Sequence, residues 1–561
     1  MVVRFLAGFL GAMLAGLFIL GGWLAYTGYQ AYSARSEVSR AVASLSGMSS
    51  LDLAGSEETL SALQSNTKVL ADTFNSFPWT FAQELPVIGA DVTDLGLISD
   101  AAASTLASFP DDLTFKQGNP FLGLQQLDSE LARAADVAGE REDGVRAVSD
   151  EGGPIRTEVV DARDKFLSAA SGLAYASAAA KSLPTALGYE GPRRWMIVLQ
   201  NLSETRGTGG IVGGYALATV KKGQIDVDEL DTNNSLTTER ISTAGIPRST
   251  RELWGSDLSY MWGANLDRHY PFAAKLLPRT LPDGAGEVDE VLALDSHAVA
   301  SLMQITGPLT VEGITVTPAE ANEFFSERVY RLLPDSTSKD ELTLKFMTAA
   351  FDELSSLDPV EGVLPTVLKS IGDDHFLLAS QDPKIQKYLE QLPTGGVVPQ
   401  QRGPWASVAV NNFSGTKLDS FLHVEANYES ASFCPEPGAG SRITLTVTNN
   451  APTTLPDYAY SRNDKGGGPK GSNLVNLAVY APVGATLEGV QVDDDSRTWV
   501  REGSSRSHPV WQRSLNLKPK DERTITLDFE EPYEPGGVRG FSVSPMVETA
   551  AVAQEAPATC Q

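Results

Sequence analysis

The chain has 561 residues, of which 42% are hydrophobic, and its 71 acidic against 44 basic side chains give a formal net charge of −27. That charge repels a phosphate backbone and excludes nucleic-acid binding as the main task. The length and ordinary apolar content suit about three domains of roughly 150 residues each.

The chain opens with an uncharged run from Phe5 to Tyr26. As a helix rising about 1.5 Å per residue it would reach roughly 33 Å, enough for a hydrocarbon core about 30 Å thick. A cleaved signal peptide would have an apolar region of only about 7–15 residues and a small-residue exit, whereas Tyr26, Tyr29 and Tyr32 crowd this one. The expectation is therefore a cytoplasmic tip and uncleaved transmembrane signal anchor over residues 1–30. Trp23 and the tyrosines would sit at the membrane interface, with the bulk of the chain outside the cytoplasm.

Residues 31–190 are rich in Ala, Leu and Ser, and Leu60, Leu70 and Phe74, then Phe166, Leu167, Ala170 and Leu173, fall on helical stripes. This predicts a helical stalk or bundle, broken at Pro78, Pro86 and Pro110 because proline lacks the amide donor and restricts its predecessor. Residues 191–394 change character. Met196–Leu199 reads as a buried strand, and residues 211–220 and 224–230 as a hairpin turned at Lys221-Lys222-Gly223-Gln224. Val288–Leu294 is a further strand, with Asp295 as the N-cap of the following helix. Thr317-Pro-Ala-Glu320 and Ser338-Lys-Asp-Glu341 read as capping boxes. Such alternation predicts an α/β domain on one central mixed sheet. After a linker at 395–404, residues 405–561 alternate with period two, as in Leu422, Val424, Ala426 and Tyr428, which predicts a β-sandwich. The expected fold class is thus multidomain α+β: an N-terminal transmembrane helix, a helical bundle, a central α/β domain and a C-terminal β-sandwich.

The densest polar cluster, Gln200 to Gly210, follows the buried strand, where α/β sheets collect ligands. Gly209 and Gly210 could bring backbone amides to an anion, Arg206 offers a bidentate fork for phosphate, and Glu204 could orient it. The alternative is a structural turn with a buried Glu–Arg pair. Asn265 and Arg268, close to Trp262 and His269, could flank the same loop. Asp231, in the acidic run 226–234, is a candidate Mg²⁺ ligand, against the alternative of a solvated turn. The five histidines lack metal-ligand spacing, and there is no nucleophile elbow, Walker loop or dinucleotide fingerprint. Cys434 and Cys560 either close one disulfide in an oxidising space or are two unrelated thiols.

Leu199-Gln-Asn-Leu-Ser-Glu204-Thr-Arg206 with Thr208-Gly-Gly210, Asp289 to Asp295 with Thr306-Gly-Pro308, Leu85-Pro-Val-Ile-Gly89, and Val410-Asn-Asn-Phe-Ser-Gly-Thr-Lys417-Leu-Asp419 together resemble the bacterial domain-of-unknown-function 4012 family. That resemblance implies an envelope protein of the bacterial plasma membrane, found where surface polysaccharides are made. The order of elements in the middle domain is more distantly similar to LytR-CpsA-Psr proteins, which transfer glycopolymers from polyprenyl-pyrophosphate lipids. Gly207 and Thr208 stand where that family has Ser and Asp, and Asp231-Thr-Asn-Asn stands where it has Pro-Arg-Asp. The leading expectation is a membrane-anchored, non-catalytic or weakly catalytic module that binds or organises a surface glycan or lipid-linked precursor beside the polysaccharide machinery. The alternative is a Mg²⁺-dependent phosphotransferase. Convergence of Arg206, Asp231 and Arg268 on one apolar-floored pocket would favour the enzyme; burial of Arg206 against Glu204 would favour the binder.

Overall fold

The computed structural model describes residues 54–76, 79–110, 120–356, 374–434, 440–464, 467–493, 500–532 and 539–557, and the chain divides into two compact units, Met1–Thr185 and Ala186–Gln561. The expected span Phe5–Tyr26 lies outside the described residues. Among the described residues no helix is long and apolar enough to cross a membrane. Even the 31-residue helix Arg156–Ala186 carries Arg156, Glu158, Asp161, Arg163, Asp164 and Lys165 near its start, a charge density that a bilayer penalises heavily. The fold class is corrected accordingly, to a multidomain α/β architecture with several sheets, with no support for a transmembrane helix among the described residues.

The first unit is helical: α1 (Ala54–Phe74), α2 (Trp79–Ala82), α3 (Gly89–Ala107), α4 (Pro120–Gln126), α5 (Asp128–Arg146) and α6 (Arg156–Ala186). Their inward stripes make one core, in which Phe74, Leu95, Ile98, Leu131, Val159 and Phe166 are each no more than 1% exposed. Pro86 separates α2 from α3, and α3 starts on a glycine because a Cβ at Gly89 would lie 2.1 Å from the Gln83 carbonyl oxygen.

The second unit opens with strands β1 (Arg193–Arg206), β2 (Gly209–Lys221) and β3 (Gln224–Thr232). Helices α7 (Arg248–Trp254) and α8 (Tyr270–Leu276), strand β4 (Glu290–Leu294) and helix α9 (Ser296–Thr306) follow. A small hairpin of β5 (Leu309–Val311) and β6 (Ile314–Val316), helix α10 (Ser336–Ser356) and strand β7 (Phe376–Ser380) complete the domain. The sheet runs β3-β2-β1-β4-β7. Only β1 and β4 are parallel; the other neighbours are antiparallel. The β2–β3 hairpin turns where expected, with Lys222 at φ 51° and Gly223 at φ 81°, the two positive values that a type I′ turn needs. Met196, Val198, Val212 and Tyr215 pack with α7 and α8 in one core. Met303 of α9 and Phe346 of α10 share another core with Phe324.

Two helix starts differ from the sequence reading. Helix α10 begins at Ser336, and the acceptor for the Ser338 amide is Asp335 at 2.9 Å, so Ser338 lies inside the first turn. The Thr317 amide does donate to the Glu320 carboxylate at 3.2 Å, yet helical structure begins only at Ala321 and passes through a π-turn at Phe324–Arg328. The extra residue per turn changes the phase of the apolar stripe. Phe324 is therefore fully buried, and Leu332 is 52% exposed.

The rest of the second unit is a sandwich of two five-stranded sheets. One is β12-β15-β10-β9-β17 and the other β13-β14-β11-β8-β16. The strands are β8 (Trp405–Asn412), β9 (Leu422–Glu429), β10 (Ser441–Asn449), β11 (Asn473–Tyr480), β12 (Thr486–Val492), β13 (Arg501–Ser505), β14 (His508–Leu517), β15 (Glu522–Glu530), β16 (Gly540–Val543) and β17 (Ala551–Glu555). The period-two residues Leu422, Val424, Ile443, Leu445, Ile525 and Leu527 all face the shared core, as alternation on a half-buried strand requires. Residues 395–404 lie inside this unit.

Candidate functional site

The polar segment Gln200–Gly210 is not a loop. Strand β1 continues through it to Arg206, and β2 begins at Gly209. Between Asn201, opposite Ile211, and Thr205, opposite Gly210, the register slips. That bulge turns Leu202, Ser203 and Glu204 out of the ladder and re-aims their side chains. All three are buried.

What receives them is the sandwich. Glu204 accepts from Arg206 Nη2 at 2.7 Å and from the Lys417 ammonium. Arg206 donates further hydrogens to the carbonyls of Trp262 at 2.8 Å, Thr205 at 2.8 Å and Asn412 at 3.1 Å. Beside this knot, Asp419 accepts from the amide and hydroxyl of Thr205, both at 2.7 Å, from Asn412 Nδ2 at 3.0 Å and from Asn473 Nδ2 at 2.5 Å. Burial pushes the Asp419 carboxyl above the usual range, against the hydrogen bonds that favour its charge. Burial also works to raise Glu204, but there the Lys417 and Arg206 cations outweigh it and hold the carboxyl below its ordinary value.

The glycines serve close strand approach. A Cβ at Gly209 would stand 2.3 Å from Gln200 Oε1 and one at Gly210 2.1 Å from the Asn201 carbonyl oxygen. Asn265 donates to the Gly210 carbonyl at 2.8 Å, and Arg268 to Ser407 Oγ at 3.2 Å and Asp374 at 2.6 Å. Asp231 is elsewhere: Arg206 pairs with Gly209, whereas Asp231 pairs with Tyr215. Six residues along β2 is about 20 Å. Asp231 accepts from the Thr232 amide at 2.7 Å. Among the described residues no group of three His, Cys, Asp or Glu converges as a metal site. Cys434 is buried and disulfide-bonded; Cys560, the chain's other cysteine, lies outside the described residues.

The opening in this domain is on the opposite side from α7 and α8, and Gln200, Asn201 and Leu202 at the start of the polar segment are among its lining residues. A cavity of about 120 Å³, within a recess of about 1030 Å³ counted out to solvent, lies between the sheet and helices α9 and α10. Its walls are mainly apolar, including Leu199, Leu294, Leu302, Phe346, Met347 and Phe351. It sits at the carboxyl ends of β1 and β4, the parallel pair, which is where α/β sheets leave room for ligands. Gly213 and Gly214 form part of its lining. Glycine inside a strand marks close approach of another group, and a Cβ at Gly214 would meet Met347 Cε at 2.9 Å. This glycine pair is a sequence signal for the cavity beside the start of the polar segment, Gln200 to Leu202.

A few polar groups reach the same walls. Asn201 Nδ2 donates to Tyr330 Oη at 2.6 Å, with Lys339 Nζ 5.9 Å from the centre of the Tyr330 ring. Asp295 caps α9 by accepting from the His297 and Ala298 amides, and its other oxygen takes His375 Nδ1 at 2.6 Å. Asp295→Ala is expected to cost about 1–2 kcal/mol, read as a lower midpoint of thermal unfolding of the full chain.

These features define a class: an α/β domain joined through a buried ionic knot to a β-sandwich, with an apolar cavity behind the sheet. Residues 190–330 match the family model described as Protein of unknown function (DUF4012), which supports the expected family over that stretch. No curated protein and no solved structure matches, so the likeness to LytR-CpsA-Psr proteins has no counterpart among these findings.

Proposed function

We propose that the protein binds a lipid-linked glycan precursor outside the cytoplasm, holding part of its apolar chain in the cavity between the sheet and helices α9 and α10, and that it presents the precursor to envelope polysaccharide machinery without transferring it. The cavity carries this reading. The cavity itself, about 120 Å³, is smaller than the roughly 300–1,000 Å³ of pockets that take a whole small ligand, so it suits only part of an apolar chain. Open on one side, that space takes a few isoprene carbons and leaves the remainder of a chain to the recess. The disulfide at Cys434 supports an oxidising compartment. Engagement of four of the five Arg206 N–H groups by Glu204 and three carbonyls favours binding over transfer, because a transferase needs a cation free to neutralise charge in the transition state.

The test is binding of farnesyl phosphate to the purified full chain, with Ala350→Trp as the blocked variant. Ala350 lines the cavity and is only partly buried, so the indole can enter the space without overpacking a closed core. Displacing about four methylenes, at about 0.8 kcal/mol each, predicts weakening on the order of a hundredfold. No binding by the wild type, or equal binding by the variant, rejects the reading.

A further inference from the structure

The described tryptophans range from buried to exposed, with Trp405 partly buried. Trp79, Trp195, Trp254 and Trp511 are at most 6% exposed, whereas Trp262 is 39% exposed. Trp262 lies flat on Tyr260, with ring centroids 4.4 Å apart and planes 7° from parallel. Of the core pairs, Phe74 with Trp79 is edge-on at 64° and Trp511 with Phe529 tilted at 57°, while the stacked core pair Tyr428 with Phe529 is looser, at 6.1 Å and 27°. A parallel stack at the surface leaves one broad indole face bare.

This face is held in place from below. Leu258 and Met261 are buried on either side of Tyr260. The Gly263 amide donates to the Tyr260 carbonyl at 3.0 Å and the Tyr260 amide to that of Asp257 at 3.1 Å. Position 263 admits no side chain, since a Cβ there would lie 2.1 Å from the Asp257 carbonyl oxygen. Arg206 Nε donates to the Trp262 carbonyl, tying the platform to the buried ionic knot. A ligand landing on it finds a surface already ordered, which lowers the entropic cost of binding. The Ile241 amide donates to the Ser259 carbonyl at 2.8 Å and so brings the exposed Glu239–Arg240 stretch alongside; Ser256 and Asp257 in the platform's own loop are exposed as well.

We propose that the Tyr260–Trp262 stack is a subsite for a neutral pyranose unit of a glycan. A pyranose turns a face of C–H groups, which carry partial positive charge, to the electron-rich ring face. Its rim hydroxyls both donate and accept, which suits a border containing carboxylates and a guanidinium. Nucleobases also stack on aromatics, but a chain of net charge −27 repels the phosphates that accompany them. The subsite rests on the reading that the precursor carries sugar, yet it is physically separate from the cavity and testable without any lipid.

The experiment is calorimetric titration of the full chain with lipid-free cellohexaose, chitohexaose and mannohexaose, with a thymidine oligonucleotide as the competing stacker. At least one sugar is expected to bind, Trp262→Ala to weaken it on the order of tenfold, and Trp262→Phe to retain most of the affinity. Because Trp262 is exposed, its alanine variant should keep the wild-type unfolding midpoint and bind farnesyl phosphate unchanged, whereas Ala350→Trp should lose the lipid and keep the sugar. Binding of none of the three sugars, undiminished binding by Trp262→Ala, or tighter binding of the oligonucleotide overturns the proposal.

Discussion

Alanine in place of Glu204 is expected to destabilise the unit Ala186–Gln561 by about 3–5 kcal/mol, because removing one member of a buried ionic cluster leaves charge without compensation. The Glu204 side chain is 4% exposed, that of Arg206 5% and that of Lys417 25%. Once the carboxylate is gone, Arg206 retains three carbonyl acceptors but no counter-ion, and Lys417 loses the anion it faces. Urea unfolding should show the change as a lower midpoint at unaltered slope. Adding Arg206→Met and Lys417→Met to Glu204→Ala should recover much of the loss, since apolar replacement of a whole buried cluster is often neutral or stabilising. A site whose task was to hold an anion would instead show weak effects on stability and strong effects on binding.

The same cluster fixes the sign of a pH dependence. The folded state holds Glu204 below its ordinary value of 4.5, the Lys417 and Arg206 cations outweighing burial. Its contribution is therefore complete above about pH 4.5 and is lost as pH falls through the depressed value. Burial acts the other way on Asp419, Asp267 and Glu290, whose carboxyls are raised. Those three favour the folded state most at low pH, and that advantage fades as pH rises through their raised values. The stability difference between wild type and Glu204→Gln should accordingly be widest above pH 4.5 and narrow on acidification.

What could be read in the sequence depended on how local its cause was. The Lys222-Gly223 turn, the Asp295 cap and the alternation of Leu422, Val424, Ala426 and Tyr428 each follow from neighbours within a few residues, and each is in the structure. The course of β1 through Gln200–Arg206 is not local. Polar residues over that stretch look like a loop until Asn412, Lys417 and Asp419, more than two hundred positions away, supply the acceptors and the cation that make a buried strand tolerable. The rule that a buried charge must be paired underlies the alternative of a buried Glu204–Arg206 pair, which the structure contains, but it could not name Lys417. The cavity was hidden for a similar reason. Its floor is Gly213 and Gly214 in β2, and its roof comes from helices that begin more than eighty residues later. The π-turn at Phe324–Arg328 shifts the apolar phase by one residue, and a pattern read with period 3.6 cannot register that.

In the helical unit the largest single effect is expected at Asp91. This carboxylate is fully buried. It accepts from the Gly153 and Ile155 amides, both at 3.1 Å, and pairs with Arg156 Nη2 at 2.8 Å. The two amides precede α6, whose early backbone donors have no partner within the helix, so one acid on α3 anchors the start of the longest described helix. Asp94 also reaches Arg156, at 2.7 Å, from a position 24% exposed, and it cannot replace the acceptors lost at the two amides. Asp91→Ala should thus cost about 3–5 kcal/mol, the range for breaking a buried pair, and Asp91→Asn less, since its carbonyl oxygen can still accept from one amide. Hydrogen exchange gives the sharpest readout. The Gly153 and Ile155 amides should lose protection in Asp91→Ala by a larger factor than the amides in the middle of α5, because their own acceptor has been removed in addition to the stability they share. Equal acceleration at all these positions would mean that Asp91 acts only through the stability of the bundle and does not anchor α6.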